Sequence, residues 1–174
     1  DFGGVNCVSC ARGGPSLRRS AGQSIRVDIV PDPRLEIAPR GMIRAFSGDE
    51  GATHGQAGEL GVEVRVASQF SATIGAAYER AVNDQQWVGN YGALLSDTTH
   101  YTFARLDQET LAITMRMNWT ATPAVSFQFY GQPFVSAGSY SNWRELNAPR
   151  APRYADRFRP YGAGARPNGF NVKQ

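Results

Sequence analysis

The stretch Thr110–Trp119, TLAITMRMNW, decides the fold class because large apolar side chains alternate in it with small or polar ones. A β-strand sends successive side chains to opposite faces, whereas an amphipathic helix needs a period of 3.6 residues. One face of the predicted strand carries Leu111, Ile113, Met115, Met117 and Trp119, and the other carries Thr110, Ala112, Thr114, Arg116 and Asn118. The same parity reaches back to Tyr101.

The same two-residue period occurs along much of the chain. It predicts strands over 24–29, 35–46, 60–66, 70–78 and 125–130, with Pro39 weakening the second of these. Together with the strand around 110–119, this gives about six long strands. We therefore predict an all-β fold, an antiparallel up-and-down meander.

Composition limits the size and class of the domain. The 174 residues are 41% hydrophobic and 19% charged, with 18 Lys and Arg against 15 Asp and Glu, which suits one folded domain. No apolar run reaches the ~18 residues of a membrane-spanning helix. The chain starts at Asp1 with neither an initiator Met nor a signal-peptide pattern, so we expect an internal piece of a longer protein.

The predicted connections alternate in length. Turns at 31–34, 67–69 and 120–123 are short, whereas 47–56, 83–99 and the chain after 137 are long and polar. This pattern is typical of an outer-membrane β-barrel, with short turns on one side and long loops on the other. Six strands cannot close such a barrel, so we predict an incomplete segment with strands missing from this chain.

Three regions follow from this interpretation. We expect a loop or extracellular segment with a cysteine pair over 1–23, barrel strands over 24–137, and an Arg-rich loop over 138–174 that leads to the missing strands. The predicted lumen-facing residues are Glu63, Arg65, Thr114, Arg116 and Asn118. The predicted lipid-facing residues are Leu60, Val62, Val64, Val66, Ile74, Leu111, Ile113, Met115, Met117, Trp119, Phe127 and Phe129.

Residues that could carry chemistry are few. Cys7 and Cys10 form either a small local disulfide or two ordinary thiols, because one Cys pair without further ligands does not make a zinc site. Asp107 and Glu109 share a strand face, but a solvated rim or an ion pair with Arg105 explains them better than glycoside hydrolysis. We therefore predict no catalytic, metal or cofactor site and no enzyme activity, and we consider nucleic-acid binding by the Arg-rich end unlikely.

Several blocks resemble a known family of bacterial outer-membrane barrel proteins of unknown function. They are Arg12–Pro15, Asn83–Val88, His100–Leu111, Gln132–Tyr140 and Tyr154–Phe158. Full-length members of that family usually carry an N-terminal family-nine-type carbohydrate-binding module, which is not present in this chain. The resemblance implies a place near the C-terminal end of a longer barrel, and it supplies no catalytic residues.

The leading functional hypothesis is a barrel segment in a bacterial outer membrane that docks or passes a substrate, with a saccharide as one candidate. Its expected partners are outer-membrane lipid and the remaining strands and N-terminal module of the same chain. The alternative is a soluble β-sandwich carbohydrate-binding module that uses Trp87, Tyr91 and Trp143 as stacking platforms. Exposure of the apolar face of 111–119 discriminates the two, because a sandwich covers that face with a second sheet.

Overall fold

The computed structural model describes residues 6–30, 32, 34–92 and 99–162. The chain is all-β, with 72% strand and 4% helical residues, and its antiparallel meander sheet curls into a half-barrel. The prediction of an incomplete barrel segment is therefore confirmed at the level of fold. The strands are β1 Asn6–Cys7, β2 Leu17–Arg18, β3 Gly22–Ile29, β4 Ile37–Gly48, β5 Thr53–Ala67, β6 Phe70–Tyr91, β7 His100–Thr122, β8 Val125–Gly131, β9 Phe134–Leu146 and β10 Phe158–Pro160.

Eight of the described strands form the main sheet, in the order β10-β9-β7-β6-β5-β4-β3, with β8 also paired to β7. The long strand β7 pairs with β8 along one half and with β9 along the other. Strands β8 and β9 are separated by Gln132 and Pro133, and the Ile113 amide donates to the Pro133 carbonyl at 3.0 Å. Among the described residues, no helix is long and apolar enough to cross a membrane.

The register of the sheet separates two faces. Arg44, Ala57, Glu79, Thr110 and Ser136 are matched in one continuous line from β4 to β9, and we call their side the polar face. The next line is Ile43, Gly58, Tyr78, Leu111 and Val135, and we call that side the apolar face. Directly opposed residues point the same way, so every strand contributes to both faces.

Two glycines identify the polar face as the concave side. Gly61 and Gly75 are cross-strand partners on that face. A Cβ added at Gly61 would lie 2.9 Å from the Ile74 carbonyl oxygen, and one at Gly75 would lie 3.2 Å from the Leu60 carbonyl oxygen. Side chains on a concave face converge, and glycine permits the backbones to bend toward each other there.

The structure corrects several predicted boundaries. The connection predicted at 83–99 is wrong, because β6 continues to Tyr91 and β7 begins at His100. The loop predicted from 138 is also wrong, because β9 runs to Leu146. The loop predicted at 47–56 shrinks to the residues between β4 and β5, around a 3₁₀ turn at Asp49–Gly51. The asymmetry between the two ends of the sheet therefore lies in strand extensions as well as in connections.

An end cap covers β6, β7 and β9 at the end of the sheet where β6 finishes and β7 begins, which we call the upper end. It consists of the hairpin of β1 and β2, in which Cys7 and Cys10 form a disulfide, together with the segment 147–161. Its core contains Ala11, Leu17, Phe103, Leu146, Tyr154 and Phe158. The Phe103 and Phe158 rings meet edge to face at 5.4 Å between centroids. Within the described part of the chain, this core holds six of the nine buried apolar residues.

Candidate functional site

In the described part of the sheet, the polar face holds four arginine–carboxylate ion pairs. Their shortest N···O distances are 2.7 Å for Arg26–Asp28, 2.7 Å for Arg40–Glu59, 3.3 Å for Arg44–Glu79 and 2.8 Å for Arg65–Glu63. The charges are partly exposed, which suits a hydrated surface rather than a packed core. An apolar sandwich interior would not accommodate four such pairs.

Small residues let these pairs cross the concave surface. Arg44 on β4 and Glu79 on β6 are both matched with Ala57 on the intervening β5, and the ion pair passes over that methyl group. Gly61 allows the same approach by Arg40, whose Nε lies 3.3 Å from where a Cβ would be. The polar face is therefore a charged surface with a floor of small side chains.

All five residues predicted to face a lumen lie on the polar face. Glu63 and Asn118 line an open cleft of about 440 Å³ at the end of the sheet near the tight β5–β6 turn, together with Arg65. Asn118 also donates to the Ser71 hydroxyl at 3.3 Å. Thr114 and Arg116 follow on the same face of β7, opposite Gly75 and Thr73. The structure thus brings these residues to one surface.

Arg116 differs from the other arginines of β3–β8. Among the described residues it has no carboxylate within ion-pair distance, whereas every other arginine on those strands has one within 3.5 Å. Its guanidinium carbon lies 5.5 Å from the ring centroid of Tyr130, its cross-strand neighbour on β8. The Arg116 side chain is exposed. Arg116 therefore presents a positive charge to the polar face.

The residues predicted to face lipid lie on the apolar face, and none of them is buried. Val66 is the irregular member, because the register shifts between Val64 and Ala67. Leu60 is 69% exposed, and Leu111 is 47% exposed. The apolar face also includes Ile43, which is 68% exposed. An exposed apolar surface that crosses this many strands far exceeds the scattered residues usual on soluble proteins.

The sandwich alternative does not describe this fold. Among the described residues the only other sheet is the two-stranded pair β1 and β2, and it lies in the end cap. Of the proposed stacking platforms, Trp87 has the Arg12 guanidinium 4.3 Å from its ring centroid and packs against the cap core. Trp143 packs against Tyr140, with ring centroids 5.8 Å apart. Tyr91 ends β6 beside the connection to β7.

The sequence analysis missed a buried charge cluster centred on Asp84, which is only 4% exposed. Arg144 Nη2 donates to the Asp84 carboxylate at 2.6 Å and also to its backbone carbonyl. Arg105 reaches the same carboxylate at 3.4 Å. The Tyr154 hydroxyl donates to it at 3.0 Å, and burial raises the pKa of that phenol above its ordinary range. The cluster joins β6, β7 and β9 to the end cap.

The predicted Arg-rich loop also contains a buried arginine. Arg157 is 0% exposed, and its guanidinium donates to the carbonyls of Ala151, Pro152 and Arg18 and to the Ser20 hydroxyl. Burial lowers the pKa of this guanidinium. Arg157 therefore ties the cap to the chain before β3. The loop prediction was wrong for Arg144, which lies in β9, whereas Arg157 lies in a 3₁₀ turn between β9 and β10. Arg166 and Lys173 lie outside the described residues.

The remaining candidates for chemistry have structural partners. Asp107 and Glu109 both approach Arg80, at 3.3 and 3.5 Å. His54 contacts the Gly51 carbonyl at 3.1 Å, and His100 contacts Glu145 at 3.2 Å. Within 6–30, 32, 34–92 and 99–162, no group of three His, Cys, Asp or Glu side chains is placed to hold a metal ion.

Comparison with family models, with curated proteins and with solved structures gives no significant match. The family resemblance of the sequence therefore stays a prediction. Two of its blocks, Asn83–Val88 and Tyr154–Phe158, meet in the Asp84 cluster, through Asp84 and Tyr154.

Proposed function

We propose that this chain is part of a bacterial outer-membrane β-barrel that passes or docks a polar substrate. The observation that carries the proposal is the exposed apolar face on the outside of the curl, opposite a charged concave face. Water penalises such an apolar surface, whereas lipid accepts it. A wet interior accepts the charged pairs.

The length of the apolar stretch supports the proposal. Large apolar side chains occupy the apolar face of β7 from Leu111 to Trp119, roughly 30 Å of strand at ~3.4 Å per residue. A tilt of ~40° reduces this to a height of roughly 23 Å, close to the ~25 Å apolar band of outer-membrane barrels.

The surroundings of the same face change above the stretch. Glu109 and Asp107 continue it and bind Arg80, so charge replaces hydrocarbon there. Phe103 follows with the same parity and is completely buried by the end cap. The end cap therefore covers β7 beyond the apolar stretch, and in our proposal lipid covers the apolar stretch itself.

The two ends of the strand order leave sheet edges that lipid does not tolerate. Among the described strands β3, β8 and β10 each have one strand neighbour, so the working barrel must contain further strands. The concave face then lines a polar passage or docking surface. A saccharide stays the candidate substrate implied by the family resemblance, and we assign no residue to it.

Cysteine labelling of the full-length protein in outer membranes tests the proposal. Single cysteines replace Ile113, Met115 and Met117 on the apolar face, and Thr114 and Arg116 on the polar face. We expect a water-soluble maleimide to label positions 114 and 116, and a lipid-soluble one to label 113, 115 and 117. If the odd positions resist both reagents, they lie in a protein core and the membrane proposal is wrong.

A further inference from the structure

Among the described residues of β3–β8, every charged side chain on the polar face has an ion-pair partner except Arg116. The pairs Arg40–Glu59 and Arg65–Glu63 each combine one positive and one negative group within 2.8 Å, so each contributes little net field at a distance. Arg116 contributes a full positive charge, since its described neighbours across the ladder are Thr73 and Tyr130.

The residues around Arg116 leave its guanidinium N–H groups available to bind an anion. Tyr130 offers its ring as a platform, and the Tyr130 hydroxyl donates to Gln132 at 2.6 Å, which fixes the ring from its far end. A guanidinium stacked on an aromatic ring keeps its N–H groups free for an oxyanion.

We infer that Arg116 is an anion-selecting residue of the proposed passage, and that the polar face favours solutes carrying a carboxylate, phosphate or sulfonate group. The inference rests on the proposed function, because Arg116 selects solutes only if water reaches the polar face. Arginine side chains select anions in other membrane pores by the same electrostatic effect.

A reporter cysteine measures the local potential directly. Thr114→Cys places a thiol two residues from Arg116 on the same face, about 7 Å away along the strand. Full-length protein in outer-membrane vesicles is labelled at low salt with an anionic sulfonate methanethiosulfonate and, separately, with a cationic ammonium one. The reaction rates are compared in the Thr114→Cys background alone and with Arg116→Gln, Arg116→Lys or the pair Arg40→Gln and Glu59→Gln.

We expect Arg116→Gln to lower the ratio of the anionic to the cationic reaction rate by roughly sevenfold, because a unit charge at this separation in water changes each reagent's local concentration roughly threefold in opposite directions. The ratio is used because Arg116→Gln also lowers the thiolate fraction, which affects both reagents equally. Arg116→Lys keeps both rates, and the paired Arg40→Gln and Glu59→Gln control changes neither because it removes no net charge. At 1 M salt the effect of Arg116→Gln disappears, since the Debye length falls to about 3 Å.

Two other results would overturn the inference in different ways. If the Thr114→Cys thiol reacts but Arg116→Gln leaves the ratio of the two rates unchanged, another group neutralises the guanidinium and the inference is wrong, while the proposed function stands. If that thiol reacts with neither reagent in any background, the polar face is dry and both fail. Retention of the heat-modifiable folded band on gels verifies that each variant has assembled.

Discussion

Replacing Asp84 by asparagine is the sharpest test of how the end cap is held. The carboxylate takes two short hydrogen bonds, from Arg144 at 2.6 Å and from Tyr154 at 3.0 Å, and a longer one from Arg105 at 3.4 Å. Asparagine keeps the shape but leaves two guanidinium groups together without their counter-charge. Removing one partner of a buried ion pair costs about 3–5 kcal/mol. We take about 3 kcal/mol, because Arg105 is partly exposed.

A loss of about 3 kcal/mol makes local opening of the cap roughly 100-fold more frequent. Trypsin reports this opening, because Arg150 and Arg153 lie in the cap segment and cleavage needs an extended chain. We expect cleavage of Asp84→Asn in outer-membrane vesicles to be faster by about that factor. Glu109→Gln is the control, since its exposed contact with Arg80 at 3.5 Å contributes less than ~1 kcal/mol. Equal cleavage of the two variants refutes the anchoring role of Asp84.

Three further predictions concern the sheet and the cap. Gly61→Ala places a Cβ 2.9 Å from a carbonyl oxygen and should lower the free energy of unfolding by about 1–3 kcal/mol, whereas Gly58→Ala, whose nearest atom lies at 3.9 Å, should be tolerated. The unfolding temperatures of the two variants are compared on heat-modifiability gels. Ile74→Arg on the apolar face should cost about 2–4 kcal/mol in lipid, and Thr73→Arg on the polar face under ~1 kcal/mol, measured by denaturant titration in vesicles. Because burial raises the pKa of Tyr154 above its ordinary 10.0, the contribution of this phenol to cap stability is complete below pH 10 and is lost as the pH rises further. Trypsin should therefore cleave the cap faster at alkaline pH, and Tyr154→Phe should abolish this pH dependence.

The alternation of side chains predicted the strands of the apolar stretch and assigned their faces. The prediction works there because a strand between two different environments must alternate, and that pattern is local in sequence. Leu111, Ile113 and Met115 lie on one face and Thr114 on the other, as their parity requires. The curvature of the half-barrel depends on strand register and on close backbone contacts at Gly61 and Gly75. These two glycines cannot be distinguished from other glycines in the sequence.

The strand extensions could not be predicted in the same way. Above the apolar stretch, β6 carries polar residues on both faces, and its register shifts between Asn83 and Gln86 and again between Trp87 and Gly89. Bulges break the two-residue period, so the segment resembles a loop in sequence. The upper part of β9 is similar, with Ser139 and Ser141 among its residues.

The Asp84 cluster is hidden from sequence analysis for a different reason. Its partners Arg144 and Tyr154 follow 60 and 70 residues later, at separations that no local pattern connects. The available signal is compositional: one acidic residue, Asp84, lies in the polar block Asn83–Gln86, and the later chain is rich in arginine. A buried arginine requires an acceptor set, but only the fold shows which one.

The position of the cluster has a consequence for how the sheet is held in place. On one side of β7, Leu111 is exposed and Glu109 carries a charge. Phe103, six residues before Glu109 on the same side, is completely buried by the end cap. One face of one strand thus passes through three environments within a short distance. In the proposed membrane setting, lipid would supply no specific contacts that fix the position of the strand along the membrane normal, so we expect the cap and its buried Asp84 to fix it. Loosening the cap should therefore affect the order of the β6 and β7 extensions before it affects the apolar stretch, which hydrogen exchange of the two halves of β7 would resolve.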